Sequence, residues 1–183
     1  NATYYDGVKV AHSALVGERG AGWTLIVNQL NYERASLFHC GTIERLLDET
    51  VALCRKTKFD DGSRIIDDPQ IQMTLAEVDA KVEILKLMNW KQAWNMTNGT
   101  FDYAEASTVK VYGSELYIDG YHLLLNVLGQ AGYLRTGTEG AVLKGKVERM
   151  YRAMLVLTFG GGTNEIQRDI ISVAGLGMPR PLR

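Results

Sequence analysis

The chain has 183 residues, of which 46% are hydrophobic and 22% charged, with a net charge of −1. These are ordinary values for one globular domain, and a charge so near zero gives no electrostatic reason to expect a nucleic acid or an anionic membrane as partner. No apolar run is long enough to span a bilayer and no charged-then-apolar leader opens the chain, so a cytoplasmic location is the default expectation.

Residues 1–21 alternate apolar and polar side chains around Asp6-Gly7, with Tyr5, Val8 and Val10 as apolar members. The alternation predicts a hairpin or the last strand of a β-domain. The chain begins at Asn1 without an initiator methionine. Residues 1–21 are therefore expected to end a middle β-domain of a longer polypeptide, and residues 22–183 to form the domain proper. From Trp23 to about Lys58 the pattern is helical, with Ile26, Leu30, Leu37, Leu46, Leu47, Val51 and Cys54 on one face. The stretch 58–63 reads as a loop. Asp68-Pro69 predicts the start of a second helix, with an aspartate cap and proline at the first helical position. Ile71, Leu75, Val78, Val82 and Leu85 then recur by threes and fours, and Asn98-Gly99 ends the run. A third helix is expected from about Phe101 to Leu128, where Ala104, Ala106, Ser107 and Gly113 are small enough for neighbours to approach closely.

A fourth helix is expected from about Ala141 to Leu157, and a terminal one from Asn164 to Ala174. The pattern predicts an all-α fold, an up-and-down four-helix bundle with a short β segment at the N-terminus and a short terminal helix. Trp90, Trp94, Tyr117, Tyr121 and Leu124 exceed a single stripe and are expected to be covered by other subunits or domains. Cys40 and Cys54 have no partner cluster and read as buried, reduced thiols. The sequons at Asn1, Asn95 and Asn98 read as chance. His12, His39 and His122 show no ligand spacing, and no glutamate has a histidine three residues on; no metal site is expected, and the di-iron bundle class is set aside.

The chemistry-bearing stretch is Gly160-Gly161-Gly162-Thr163, which runs directly into the terminal helix. Unpaired N–H groups and the positive helix end suit an anionic ligand there. The same residues also read as a flexible link with Thr163 as an ordinary helix cap. Glu33, by its residue type alone, reads as a surface acid pairing with a base one turn away.

Three ordered blocks add to this. Val147-Glu148-Arg149-Met150-Tyr151-Arg152 followed by 158–171, the stretch 126–134, and Leu30-Asn31-Tyr32-Glu33-Arg34 together resemble the C-terminal part of the acyl-CoA dehydrogenases, over essentially the whole chain. The style resembles actinobacterial enzymes of lipid and sterol breakdown. The resemblance implies FAD as cofactor, an acyl-CoA thioester as substrate, a homo- or hetero-oligomer (dimer or tetramer) built through the bundle, and an electron acceptor such as an electron-transfer flavoprotein. It also implies the reaction: a carboxylate removes the α-proton while the β-hydrogen leaves as hydride to the flavin. The family's usual base, the glutamate of Tyr-Glu-Gly-Thr, is replaced here by Gly161. In the branch of the isovaleryl-CoA and long-chain acyl-CoA dehydrogenases the base lies on the first long helix before an arginine, which Glu33-Arg34 matches.

By the same resemblance, Arg34 orients substrate or supports the base, and Asn31 contacts CoA. Arg55 and Thr57 lie in the loop whose arginine reaches the FAD pyrophosphate of a neighbouring subunit, although Lys58 departs from the family pattern. Asn126, Gly129 and Gln130 sit where the family packs against the adenosine half of FAD, with Gln130 in place of a glycine and Asn126 in place of a glutamine. Thr163 and Glu165 fall where relatives touch the flavin ribose or pyrophosphate. Ala153 replaces an aspartate. The reading that follows is an active dehydrogenase of fatty-acid or sterol side-chain β-oxidation with Glu33 as base, the space at Gly161 admitting branched, long or steroid acyl groups. The alternative is a non-catalytic FAD-holding partner subunit of a heteromeric enzyme, and a more remote one is a helical interaction module without cofactor. The 183 residues alone are expected to be colourless and inactive.

Overall fold

The computed structural model describes residues 2–36 and 38–180, and of residues 31, 35 and 36 the backbone alone. The fold is all-α, with six α-helices among the described residues: α1 (Gly22–Ser36), α2 (Cys40–Lys56), α3 (Pro69–Thr97), α4 (Tyr103–Leu128), α5 (Lys146–Met154) and α6 (Asn164–Ile170). Central α4 packs against α1, α2, α3, α5 and α6. None of these helices is long and apolar enough to cross a membrane.

α3 forms as its sequence dictates. The Asp68 carboxylate accepts from the Gln70 amide at 2.7 Å and Pro69 occupies the first turn, so the helix start is capped locally. Leu75, Val78, Val82 and Leu85 are all buried. Each such side chain contributes about 1.5–3 kcal/mol by leaving water. They meet Ile43, Leu46 and Leu47 of α2 and Leu116, Tyr121 and Leu124 of α4 in one core. Small residues on α4 allow the close approach expected of them. A Cβ at Gly113 would lie 2.5 Å from the Phe38 ring, and one at Gly120 would lie 2.8 Å from Ile43. Cys40 and Cys54 are free and buried, and burial pushes both thiols up.

Several expectations are corrected. No strand forms among residues 2–21; the segment holds one 3₁₀ turn, His12–Ala14, and Tyr4, Tyr5, Val8 and Val10 stay exposed. Alternation makes a strand only where an edge exists to pair with, and the described residues hold no strand beyond one isolated bridge, Lys58 to Arg64. The single helical run from Trp23 to Lys58 is two helices. The chain turns extended at His39, before α2, and this places Phe38 against Gly113. Leu37 lies outside the described residues.

The fourth helix begins only at Lys146 and ends in a 3₁₀ turn, Leu155–Thr158. Before it, Leu143, Lys144 and Gly145 are left-handed, with φ of 47°, 57° and 68°. A Cβ at Gly145 would lie 2.5 Å from the Thr136 backbone nitrogen, so that close chain crossing sets the turn and delays the helix. The terminal helix loosens after Ile170 into a π turn, where the Leu176 amide reaches the Ile171 carbonyl at 3.1 Å. Tyr117, Tyr121 and Leu124 are core residues of this chain, whereas Trp90 and Trp94 are 68% and 70% exposed.

Candidate active site

The glycine loop joins the turn at Thr158 to α6. Gly161 and Gly162 sit at φ +74° and +99°, backbone that a side chain enters only with strain. Thr163 caps α6, its hydroxyl accepting from the Ile166 amide at 3.4 Å. The Gly161 carbonyl faces inward and accepts two bonds, from Arg34 Nε at 3.0 Å and from Gln167 Nε2 at 3.3 Å. Arg34 comes from α1, 127 residues earlier. Its guanidinium is buried, and desolvation pulls its pKa down against the opposing pull of neighbouring Glu33. The Arg34–Gly161 hydrogen bond thus joins the helix carrying Glu33 to the loop position where the usual base of the resembled family is missing.

A second set of polar side chains holds the loop from α4. Lys110 is fully buried; its Nζ donates to Asn164 Oδ1 at 2.5 Å and to the Thr158 carbonyl at 3.3 Å. Burial pushes its pKa down. Ser114 also donates to Asn164 Oδ1, at 3.1 Å. Asn164 Nδ2 reaches Glu115 at 3.4 Å, and Glu115 pairs with Arg168 at 2.5 Å. Beside this network lies a cleft of about 770 Å³, lined by residues of α4, α5, the glycine loop and α6 that include His122, Tyr151, Thr163, Glu165 and Arg168. The Glu165 carboxyl is held below its usual range by its own backbone N–H and the Thr163 hydroxyl, so it is ionised at neutral pH.

The candidates from sequence fall in four places. Glu33 and Arg34 share α1, Glu33 exposed and Arg34 buried; the Asn31 side chain lies outside the described residues. Thr163 and Glu165 line the cleft. Arg55 and Thr57 are exposed at the end of α2, where the Thr57 hydroxyl donates to the Leu53 carbonyl at 3.0 Å. Asn126, Gly129 and Gln130 are exposed at the end of α4, with Asn126 Oδ1 accepting from the Tyr133 hydroxyl at 2.8 Å. No hydrogen bond among the described residues links the α2, α4 and cleft groups to one another, so within this chain they are separate surface positions. Lys110, Ser114, Asn164 and Gln167 are site residues that the sequence reading missed. The available signal was a lysine at the spacing of buried positions on α4, in step with Ala106, Ser107 and Gly113. Among the described residues no group of three or more potential metal ligands occurs.

A family model described as "Acyl-CoA dehydrogenase, C-terminal domain" matches residues 20–176. The chain belongs to this family. It is 49% identical over 187 aligned positions to acyl-CoA dehydrogenase FadE26 of Mycobacterium tuberculosis, which covers 100% of this chain and 46% of that protein. Among solved structures it superposes on the ChsE4-ChsE5 complex of Mycobacterium tuberculosis with a TM-score of 0.90 and 48% identity, covering 98% of this chain and 46% of that one. It also superposes on the Tcur3481-Tcur3483 steroid ACAD with a TM-score of 0.87 and 41% identity, covering 97% of this chain and 45% of that one. The chain spans about half the length of the relatives it matches. Within this acyl-CoA dehydrogenase domain, Gly161 stands at a backbone conformation that disfavours any side chain.

Proposed function

We propose that this chain is the C-terminal helical domain of a flavin-dependent acyl-CoA dehydrogenase that oxidises a bulky acyl thioester between Cα and Cβ, with Glu33 as the base. The observation that carries the reading is the Arg34–Gly161 contact, which ties the helix of Glu33 to the loop where relatives carry their usual base. Glu33 takes the α-proton onto a carboxylate oxygen as the Cα–H electron pair becomes the new double bond. Buried Arg34 fixes the α1 end, and with it the neighbouring Glu33, against the loop. Arg55, Thr57, Asn126, Gln130 and Thr163 offer exposed guanidinium, hydroxyl and carboxamide groups, and Gly129 a bare backbone, the chemistry that suits the phosphates, ribose and adenine of FAD. Glu165, ionised beside Thr163, is the one member of that set that must turn its charge away. The flavin, when bound, supplies the acceptor for the β-hydride.

Absence of a side chain at Gly161 leaves room for branched, long or steroid-type acyl groups, in keeping with the steroid ACAD relative. Asn31 and Arg34 are the candidates for holding the CoA thioester. The oligomer is heteromeric, a reading supported by the two-chain composition of the ChsE4-ChsE5 relative. The same observation favours the second reading, in which this subunit helps hold FAD and the other chain supplies the base. Residues 1–21 belong to a preceding domain that covers Tyr4, Tyr5, Val8 and Val10.

The test is exchange of the substrate α-proton with D₂O, followed by NMR in a thioester analogue unable to lose a β-hydride. Wild-type protein should exchange it, and Glu33→Gln should slow exchange by about 10²–10⁴-fold, the usual contribution of a general base. Equal exchange in both would move the base to the partner chain.

A further inference from the structure

We propose that Lys110 is a positioning residue that clamps both ends of the glycine loop to α4 and so holds Gly161 in register with Arg34; this rests on the reading of Glu33 as base. Lys110 is fully buried, about two turns into α4. A lysine in that setting loses its hydration and much of its side-chain freedom, so its retention calls for partners that use its donors. Both partners are loop ends. Thr158, whose carbonyl it bonds, is the last residue before the loop, and Asn164, whose carboxamide it bonds, is the first residue of α6. Between these anchors lie only five residues, 159–163. A segment so short, fixed at both ends, has little freedom left.

Three further contacts converge on the same element. Ser114, one turn along α4 from Lys110, bonds the same Asn164 oxygen. Gln167 from α6 and Arg34 from α1 bond the Gly161 carbonyl at the loop's centre. The loop is thus held at its ends by α4 and at its middle by α1 and α6. Lys110 is the group that touches both ends, so it sets the distance at which the Gly161 carbonyl meets Arg34. Neighbouring charges act on it in opposite senses: Glu165 and Glu115 favour its ammonium, whereas Arg34 and Arg168 oppose it. The positioning force is therefore its two directed hydrogen bonds and not a single ion pair.

The experiment uses the full-length holoenzyme, comparing wild type with Lys110→Met, which keeps an unbranched stem and removes the donors. Hydrogen exchange reads the loop directly. The Gly160 and Gly162 amides are bonded to the Val156 and Phe159 carbonyls at 2.8 and 3.0 Å, so they report whether the loop is held. The expected result is exchange at these two amides at least tenfold faster, with amides of α2 and α3 unchanged. Turnover should fall at least tenfold while KM moves less than threefold, because binding groups elsewhere are intact. Unchanged exchange at Gly160 and Gly162 would overturn the proposal, as would faster exchange with full turnover. Should Lys110→Met not fold, Asn164→Ala removes the shared acceptor without touching α4, and the same two amides decide the matter in the same way. Failure of the Glu33 reading is separable: Glu33→Gln with full turnover refutes the base assignment and leaves the amide result standing.

Discussion

Gly162 is the loop glycine that packs directly on Gln167. Its φ of +99° is open to glycine, and a Cβ there would stand 2.5 Å from Gln167 Nε2, the group that bonds the Gly161 carbonyl. Gly162→Ala therefore meets two costs. Holding alanine in this backbone region costs about 1 kcal/mol or somewhat more. Displacing the buried Gln167 carboxamide forfeits its hydrogen bond and adds about 1–2 kcal/mol. The sum is about 2–3 kcal/mol, or on the order of 5–10 °C in melting temperature for a protein of this size. Gly62→Ala supplies the control, since Gly62 is also left-handed, at φ +86°, but a Cβ there meets nothing within 4 Å. It should lose only the backbone part, about 1 kcal/mol. Urea unfolding of the two variants measures the difference, and the double variant Gly162→Ala/Gln167→Ala should lose at least about 1 kcal/mol less than the sum of its singles. Equal losses for Gly162→Ala and Gly62→Ala would refute the claim that Gln167 fills the space behind the loop.

The remaining predictions concern packing, capping and acid response. Gly113→Ala should destabilise by about 1–3 kcal/mol through overpacking on Phe38, and Phe38→Leu in the same protein should recover part of that, as read by denaturant midpoints. Asp68→Ala should cost about 1 kcal/mol by removing the cap of α3, with helical circular dichroism otherwise kept. Glu148 is held below its ordinary value of 4.5, chiefly by its hydrogen bond from Arg152, against the opposing effect of burial. A carboxyl whose folded pKa is depressed stabilises fully above its unfolded pKa, and that contribution is lost as pH falls through the folded value. Arg152→Met should therefore melt lower than wild type at neutral pH, and the gap should close on acidification below 4.5. A gap that widened on acidification would reverse the assigned direction.

Legibility from sequence followed the range of the forces involved. α3 could be read almost to its boundaries because Asp68-Pro69 and Asn98-Gly99 act on their own neighbours. The break between α1 and α2 was not legible. Apolar periodicity continues through it, and the turn exists because Phe38 packs against Gly113, 75 residues later in the chain. The delayed start of α5 has the same kind of cause, the close crossing of Gly145 over Thr136. Residues 2–21 carry strand-like alternation, but a strand depends on a pairing edge that local sequence does not contain.

The candidate site divides along the same line. The glycine loop and the Glu33-Arg34 pair stood out as motifs, and the contact from Arg34 to Gly161 joins them. Lys110 went unread because a lysine within a helix is usually solvated, and only the packed fold shows its ammonium bonded to both loop ends. Arg55, Thr57, Asn126, Gly129 and Gln130 are exposed at separate helix ends of this one chain. A ligand that joins them must bridge surfaces, as expected where subunits meet.

The most direct test of the central claim is an anaerobic titration of the full-length protein and its Glu33→Gln variant with a steroid-side-chain acyl-CoA, followed by flavin absorbance. Bleaching is expected in the wild type and none in the variant, with FAD bound equally in both. Equal bleaching in the two proteins would contradict the assignment of Glu33 as the base.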